Sequence, residues 1–391
     1  MEIEARLIGI VLGLALTVAS AVLFWRPEPP PLELQAFRKL TETTPTSLAE
    51  AIRLYRQALD GDPLSPYRWC DLAEAWIEAS RTGEARSCMR RAQELGPNIP
   101  QVWVRAANAY FRLDDPAEAL RAAAAVLRMT PAYDAILFRY CGQFIPDPRQ
   151  VLASLAGNQR AAQAYFRHAL SSGSFSTAET AWTWLRQNSC ADDQLAVEYL
   201  DSLVAQRQAR RALEVWSEYL GKRNGDYPVP NRLFNGSFES EFTRAILDWR
   251  IQPAGQVTAA RDSSLASQGR WSLRIRFAGD RNVAYGHATQ AVYLPPGAYR
   301  LAAMVRTEGI TTDQGIRLRV SGDRLDARTS QVIGTNGWTP LETIFSVPPS
   351  VDLVTVQVFR EPSLKFDNKI AGTAWIDAVT IQPLSGGVRQ H

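Results

Sequence analysis

The sequence predicts a multidomain α plus β protein: an N-terminal transmembrane helix, a helical-repeat solenoid and a C-terminal β-sandwich. Three observations carry this expectation. An uncharged apolar run opens the chain, a 34-residue period occupies its first half, and a period of two takes over beyond Pro228. A length of 391 residues suggests about two to three domains. With 46% hydrophobic and 21% charged residues, the chain is neither disordered, collagen-like nor a coiled coil. Four lysines (Lys39, Lys222, Lys365, Lys369) leave 39 arginines among the 43 basic residues, which 40 acidic residues nearly balance. A net charge of only +3 implies no strong field for nucleic acid, and no nucleic-acid partner is expected. Three histidines and four cysteines leave little material for a dedicated metal or triad site.

After a tail of residues 1–6, Leu7 to Trp25 form 19 apolar or small residues without a charge. At about 1.5 Å rise per residue they cover most of a hydrocarbon layer roughly 30 Å thick. Trp25 and Arg26 suit an interfacial anchor, and the prolines between Pro27 and Pro31 stop the helix and open a Pro-rich spacer over 26–45. A cleaved signal peptide is the alternative, with Arg6 as its charged region and Ala19-Ser20-Ala21 as its cleavage site. Against it, the apolar run continues through Phe24-Trp25, and Glu2 and Glu4 spoil a basic start. Basic residues alone (Arg6 against Arg26, Arg38 and Lys39) would leave the body in the cytoplasm, whereas the C-terminal sandwich argues for the outside.

Trp69, Leu72, Ala73, Trp76, Ala85, Met89, Ala92 and Pro97 recur 34 residues later as Trp103, Ala106, Ala107, Tyr110, Ala119, Ala123, Val126 and Pro131. The second half of the unit occurs one period earlier as Ala51, Tyr55, Ala58 and Pro63. Small side chains let antiparallel helices approach, aromatics fill the groove between them, and proline closes each unit. This spacing resembles the tetratricopeptide repeat. Pro146 and Pro148 interrupt a fourth unit begun by Leu137, Tyr140 and Cys141. The pattern returns with Ala178, Trp182 and Leu185, then with Ala212, Trp216 and Tyr219. Residues 46–221 therefore read as a solenoid of about five helix pairs, the first without a full leading helix. The resemblance implies a protein partner on the groove side, carried by register onto Tyr67, Cys70, Glu74, Glu78, Gln101, Asn108, Phe111 and Arg112. That set lacks the basic cluster of the carboxylate-clamping subset. Cys70, Cys88, Cys141 and Cys190 read as buried or idle thiols, with a Cys70–Cys88 disulfide as the alternative.

A linker over 222–230 leads to period-two runs broken by turn residues. They include Trp271–Phe277, then Tyr299, Leu301, Ala303 and Val305, then Ile316, Leu318 and Val320, then Val354, Val356 and Val358. About nine or ten strands over 231–384 suffice for an independent core, and a tail of 385–391 follows. The opening Asn235-Gly236-Ser237-Phe238-Glu239, Trp249, Gly269–Arg274, the Pro296–Leu301 turn and the closing Ala374–Val379 are similar to the galactose-binding-like jelly rolls of carbohydrate-binding modules. The resemblance implies a structural calcium held by Glu239 and Asp377; a hydrogen-bonded Asp377 is the alternative. Asp377 shares strand parity with Trp375, Val379 and Ile381, so it should face the interior, where a bare carboxylate is costly. No other cofactor is expected.

For glycan contact, aromatic faces and hydroxyl-binding side chains outside the core pattern nominate Tyr285, His287, Arg306, Trp338 and Arg360, while Trp249 and Trp271 read as core. No carboxylate pair, nucleophile motif or phosphate loop nominates an enzyme. The expectation is a membrane-anchored, non-enzymatic adaptor: the repeats dock a protein and the jelly roll binds polysaccharide. This suits assembly or export at a bacterial inner membrane, single-pass, with the bulk periplasmic or extracytoplasmic. The alternative is a structural scaffold whose sandwich binds no sugar.

Overall fold

The computed structural model describes residues 30–42 and 44–384. Among them the chain divides into two compact units, one reaching to His168 and the other starting at Ala169.

In the first unit α1 (Leu32–Thr41) packs on α2 (Pro45–Gly61), α3 (Pro66–Glu78) on α4 (Thr82–Leu95), and α5 (Pro100–Arg112) on α6 (Pro116–Met129). Next come α7 (Asp134–Phe144), α8 (Pro148–Ser154) and α9 (Gln159–Ser171), and the boundary between units falls inside α9. The 34-residue period is visible in the helix limits. Helices α2, α4 and α6 end at Gly61, Leu95 and Met129, and α3, α5 and α7 begin at Pro66, Pro100 and Asp134, each 34 residues beyond the last. Pro63, Pro97 and Pro131 stand two residues past those ends, where a helix that has lost its next N–H donor must stop. Ala51, Ala85 and Ala119 are fully buried at the helix contacts. Trp69 and Trp103 each donate their indole N–H to the preceding loop, to Pro63 O (2.9 Å) and Gly96 O (3.1 Å). The indoles thereby tie each leading helix to the end of the unit before it.

One expectation changes here, and one alternative falls away. Residues 26–45 are not spacer throughout: α1 lies within them, with Pro31 in its N-cap position and Ala36 completely buried, so the first trailing helix does have a leading partner. Cys70, Cys88 and Cys141 are free, buried thiols. Burial pushes the Cys70 and Cys141 thiols up to about 12, and Cys70 Sγ lies 3.9 Å from Met89 Sδ rather than bridging to Cys88.

The second unit contains α10 (Phe175–Gln187), α11 (Asp193–Ala205) and α12 (Ala209–Leu220), followed by ten strands. Trp182 of α10 packs at 5.5 Å from Tyr199 and 5.7 Å from Tyr219. Strands β1 (Arg250–Ile251), β4 (Tyr285–Tyr293), β9 (Leu353–Arg360), β6 (Arg317–Gly322) and β7 (Leu325–Arg328) form one antiparallel sheet in that order. The second sheet runs β2 (Val257–Asp262), β3 (Ser272–Ala278), β10 (Ala371–Pro383), β5 (Gly297–Ile310) and β8 (Gly334–Val347). Alternate residues of each sheet meet in one core that includes Leu273, Ile275, Leu301, Val305, Leu318, Val320, Val354, Val356 and Val358, with Trp249 buried among them. The compact unit holding the sandwich begins ahead of the 222–230 linker. Trp216 of α12 meets Phe234 edge-on at 5.6 Å, and Asp201 of α11 pairs with Arg250 of β1 at 2.6 Å.

No helix among the described residues is long and apolar enough to cross a membrane. The Leu7–Trp25 segment, and with it both the anchor and the cleavage readings, lies outside them, as do residues 1–6 and 385–391.

Candidate functional site

Strand parity sorts the first sheet into a buried and an open face. On β4, Ala288, Gln290 and Val292 point inward, so Thr289, Ala291 and Tyr293 point outward; on β9 the inward Val354, Val356 and Val358 leave Thr355, Gln357 and Phe359 outside. Arg317, Arg319 and Ser321 of β6 and Asp326 and Arg328 of β7 continue that outer layer. Register then aligns Thr289, Gln357, Arg319 and Arg328 in one row across four adjacent strands. Phe359 lies beside the row, with the guanidinium carbons of Arg319 and Arg328 at 5.0 and 5.3 Å from its ring centre.

Acidic groups hold these arginines in place. Asp326 accepts from Arg319 Nε at 2.6 Å and from Arg328 Nη2 at 2.9 Å, and the two guanidiniums hold its carboxyl at about 2, well below the usual range. Glu361 accepts from Arg328 Nη1 at 2.5 Å and lies 3.8 Å from Arg317. Gln314 and Gln331 accept from Arg317 Nη2 at 2.9 and 2.7 Å. Gly286 leaves room next to the row: a Cβ there would come within 3.0 Å of Gln357 Oε1 and 3.9 Å of Phe359 Cδ2. The result is a face of fixed donors and acceptors, some exposed and some half-buried, around one ring, with a narrow notch at Gly286 that Gln357 Oε1 approaches. Such a face can bind several hydroxyl or carboxylate oxygens at once without first ordering its own side chains.

The five residues nominated for glycan contact do not converge. Tyr285 and Arg360 are interior, 2% and 0% exposed, so neither is available to a ligand. Arg360 donates to Gln314 O (3.1 Å), Thr312 Oγ1 (3.0 Å) and Val283 O, and burial holds its guanidinium below the ordinary arginine range, with Asp313 acting the other way. Arg306 and Trp338 belong to β5 and β8 of the other sheet. Of the three on the sheet described above, only His287 lies outside its interior, half-buried next to Gly286 with its ring 5.5 Å from that of Tyr285. Thr289, Gln357, Phe359, Arg317, Arg319 and Arg328 were missed. Their signal was present, since residues alternating with the valines of β9 and with Leu318 and Val320 of β6 must face outward.

On the helical unit, Tyr67, Gln101 and Arg112 are exposed and Asn108 is half-buried, but Phe111 is 6% exposed and stacks on Phe144 at 5.2 Å. Glu78 pairs with Arg112 at 2.5 Å and Glu74 with Arg105 at 2.8 Å; Arg105 also reaches Asp71 at 2.6 Å. Arg105 and Asp71, like Arg112 and Glu78, occupy equivalent positions 34 residues apart. Both acidic side chains nominated for docking, Glu74 and Glu78, are thus already paired between adjacent leading helices.

Glu239 and Asp377 bind the two ends of one turn. Asp377 Oδ2 accepts from the Ser267 and Gln268 N–H groups at 2.7 and 2.9 Å, and Glu239 Oε1 from those of Arg270 and Trp271 at 2.8 and 2.9 Å. Gly269 lies between them at φ +65°, where a Cβ would sit 2.3 Å from Glu239 Oε1. Asp377 is fully buried, but not through shared parity with Val379 and Ile381: the strand shifts register between Asp377 and Thr380, with Ala378 at φ +50°. Asp377 and Trp375 lie on the outer side, and the turn covers the carboxylate. Trp271 likewise stands outside the core, beneath the Arg261 guanidinium at 4.2 Å.

Burial holds the Asp377 carboxyl above its ordinary range, and the Glu239 charge acts the same way, against the backbone donors. Among the described residues no basic side chain pairs with either carboxylate. Backbone N–H groups thus satisfy Asp377 as its hydrogen-bonded alternative expects. No cluster of three His, Cys, Asp or Glu side chains occurs among the described residues, so a hard divalent ion here would have to draw on Glu239 Oε2 and on carbonyls or water. Because the folded state holds the Asp377 proton more tightly, its contribution is full below the ordinary carboxylate pKa of about 4 and is lost as pH rises through the raised folded value. Asp377→Asn is therefore expected to be more stable than the metal-free parent once pH rises above about 4, as thermal melts of the two proteins would show.

No family model matches the chain, and no curated protein matches it. Several solved structures resemble its β-sandwich. A family 61 carbohydrate-binding module in complex with β-1,4-galactotriose is 23% identical, covering 39% of this chain and 99% of its own, with a TM-score of 0.29. A xylan-binding domain of family 22 is 15% identical over 41% of this chain and 100% of its own, at 0.31. The C-terminal family 22 module of Clostridium thermocellum Xyn10B is 16% identical over 40% and 97%, at 0.29.

Proposed function

We propose that the chain is a non-enzymatic binding protein whose sandwich takes a saccharide on the outer face of the β1-β4-β9-β6-β7 sheet. The observation that carries this reading is the register-aligned row Thr289–Gln357–Arg319–Arg328 beside Phe359, with the notch at Gly286. Hydroxyl-rich ligands are recognised by fixed hydrogen-bonding side chains around an apolar ring, and this face supplies both. The paired helices, read as tetratricopeptide-like repeats from their 34-residue spacing, dock a protein partner. The Leu7–Trp25 run anchors the assembly in a bacterial inner membrane, with the bulk periplasmic or extracytoplasmic. Such a protein would act in polysaccharide assembly or export.

The test is affinity electrophoresis of the full chain through gels containing neutral or acidic polysaccharides. Retardation by at least one polymer is expected, with affinity reduced about tenfold by Thr289→Ala/Gln357→Ala and more modestly by Gly286→Ala, whose methyl enters the notch. Retardation that survives these substitutions unchanged would place the site elsewhere. No retardation by any polymer would favour the scaffold reading, which the packing of Trp216 on Phe234 supports.

Calcium belongs to this proposal as a structural ion on Glu239 and Asp377, tying the opening segment to the closing strand. Added Ca2+ is expected to raise the melting temperature of the parent and to leave Asp377→Asn unmoved; saturation at about a hundred times the dissociation constant stabilises by about 2.7 kcal/mol.

A further inference from the structure

We infer that the saccharide accepted by this face is anionic, carrying uronate or comparable carboxylate groups. The inference rests on the proposal that the face binds saccharide at all, and goes further by naming the ligand's charge. The surface around Phe359 is made of guanidinium. Arg319 and Arg328 both stand over the ring, at 5.0 and 5.3 Å, so a sugar reaching this point meets N–H donors before it meets an aromatic face. Three arginines on the face share two carboxylates: Arg319 and Arg328 divide Asp326, and Arg328 and Arg317 divide Glu361. The chain of alternating charge begins and ends on arginine and keeps one positive charge in excess. The other outward residues of β4, β6 and β9 include no acidic side chain, and Arg250, which pairs with Thr289 from β1, is matched by Asp201, so that excess stays uncompensated.

The free donors point the same way. Arg319 commits Nε and Nη2 to Asp326, at 2.6 and 3.2 Å, while its Nη1 engages no protein acceptor among the described residues. Asp326 holds the guanidinium plane fixed, so an incoming carboxylate meets a donor whose orientation is already set. Gln357 and Thr289, next in the row, are neutral hydrogen-bonding groups suited to the hydroxyls that flank a uronate carboxylate. A wholly neutral polymer would leave the excess charge facing water or counter-ions and would gain nothing from it.

The test uses the full chain and a panel of uronate polymers (polygalacturonate, alginate, hyaluronate and glucuronoxylan), each beside its methyl ester, which keeps the sugar and removes the charge. Neutral xylan, glucan and galactan and poly-glutamate complete the panel. Retardation by at least one uronate polymer is expected. Methyl esterification, a rise from about 50 to about 500 mM salt, and Arg319→Gln should each weaken it by about tenfold or more. Thermal melting of Arg319→Gln within about two degrees of the parent would exclude a folding defect, and Arg319→Lys should recover part of the affinity by restoring charge without the fork. Binding to a neutral polymer or a methyl ester that ignores salt and Arg319→Gln would overturn the charge inference and leave the saccharide reading standing. Equal retardation by poly-glutamate would overturn it in favour of an acidic polypeptide. Silence across every polysaccharide would overturn both.

Discussion

Arg360→Ala should destabilise the sandwich by about 3–5 kcal/mol, a shift readable in the denaturant midpoint of the full chain. The guanidinium is completely buried, yet no carboxylate bonds it directly; its partners are Gln314 O, Val283 O, Thr312 Oγ1 and, at 3.5 Å, Asn282 Oδ1. These acceptors come from the segments before β4 and before β6, so a single side chain on β9 joins two connections at one end of the sandwich. Asn282 also holds Ser363, accepting from its N–H at 2.9 Å and donating to its carbonyl at 2.7 Å. Truncation leaves a large cavity and several buried acceptors without donors. Arg360→Lys would recover part of the loss, because one ammonium cannot reach all four acceptors from a single point. An unchanged midpoint for Arg360→Ala would mean that water replaces the guanidinium without cost, and this account of the loop end would fail.

Trp216→Ala is the second large effect, at about 3–5 kcal/mol. Trp216 is fully buried on α12, stacked on Tyr219 at 5.9 Å and edge-on to Phe234 at 5.6 Å, while Phe234 is itself edge-on to Tyr227 at 5.5 Å. Phe234 in turn exchanges both backbone hydrogen bonds with the buried Gln290 side chain of β4, at 3.1 and 2.9 Å. A path of packed groups therefore runs from the last helix into the core side of the β1-β4-β9-β6-β7 sheet. In the parent, residues from Ala169 onward should melt as one transition. In Trp216→Ala the helical signal is expected to separate from the sandwich and melt earlier, as followed by circular dichroism at helix and aromatic wavelengths. Coincident transitions in the variant would show that the helices and the sandwich are joined by other contacts.

Much of the architecture was legible because it is written in short-range periods. The proline, alanine and tryptophan positions repeating every 34 residues marked helix ends that recur at the same spacing, and alternation in Trp271–Phe277 and Val354–Val358 marked strands with one buried face. The candidate site was less legible. Tyr285 and Arg360 were read as standing outside the core pattern, yet both are interior. β4 shifts register between Tyr285 and Ala288, and the acceptors that make a buried Arg360 tolerable lie 46 to 78 residues away along the chain. Arg306 and Trp338 have the right chemistry but sit on the opposite sheet, an assignment that strand order alone decides. The parity argument placed Asp377 inside for the wrong reason, since the register shift beside Ala378 turns it outward and a turn 109 to 110 residues earlier buries it.

The amino-acid order by itself determined where helices start and stop, where strands alternate, and which residues of each strand share a face. These are properties of the local backbone, whose side-chain directions repeat every 3.6 or every two residues whatever the chain packs against. Only the tertiary structure decided which faces stay open, which strands stand side by side, and therefore that Thr289, Gln357, Arg319 and Arg328 form one row. That row exists because hydrogen-bonded register joins β4, β9, β6 and β7, and no local period contains the identity of a strand's neighbour.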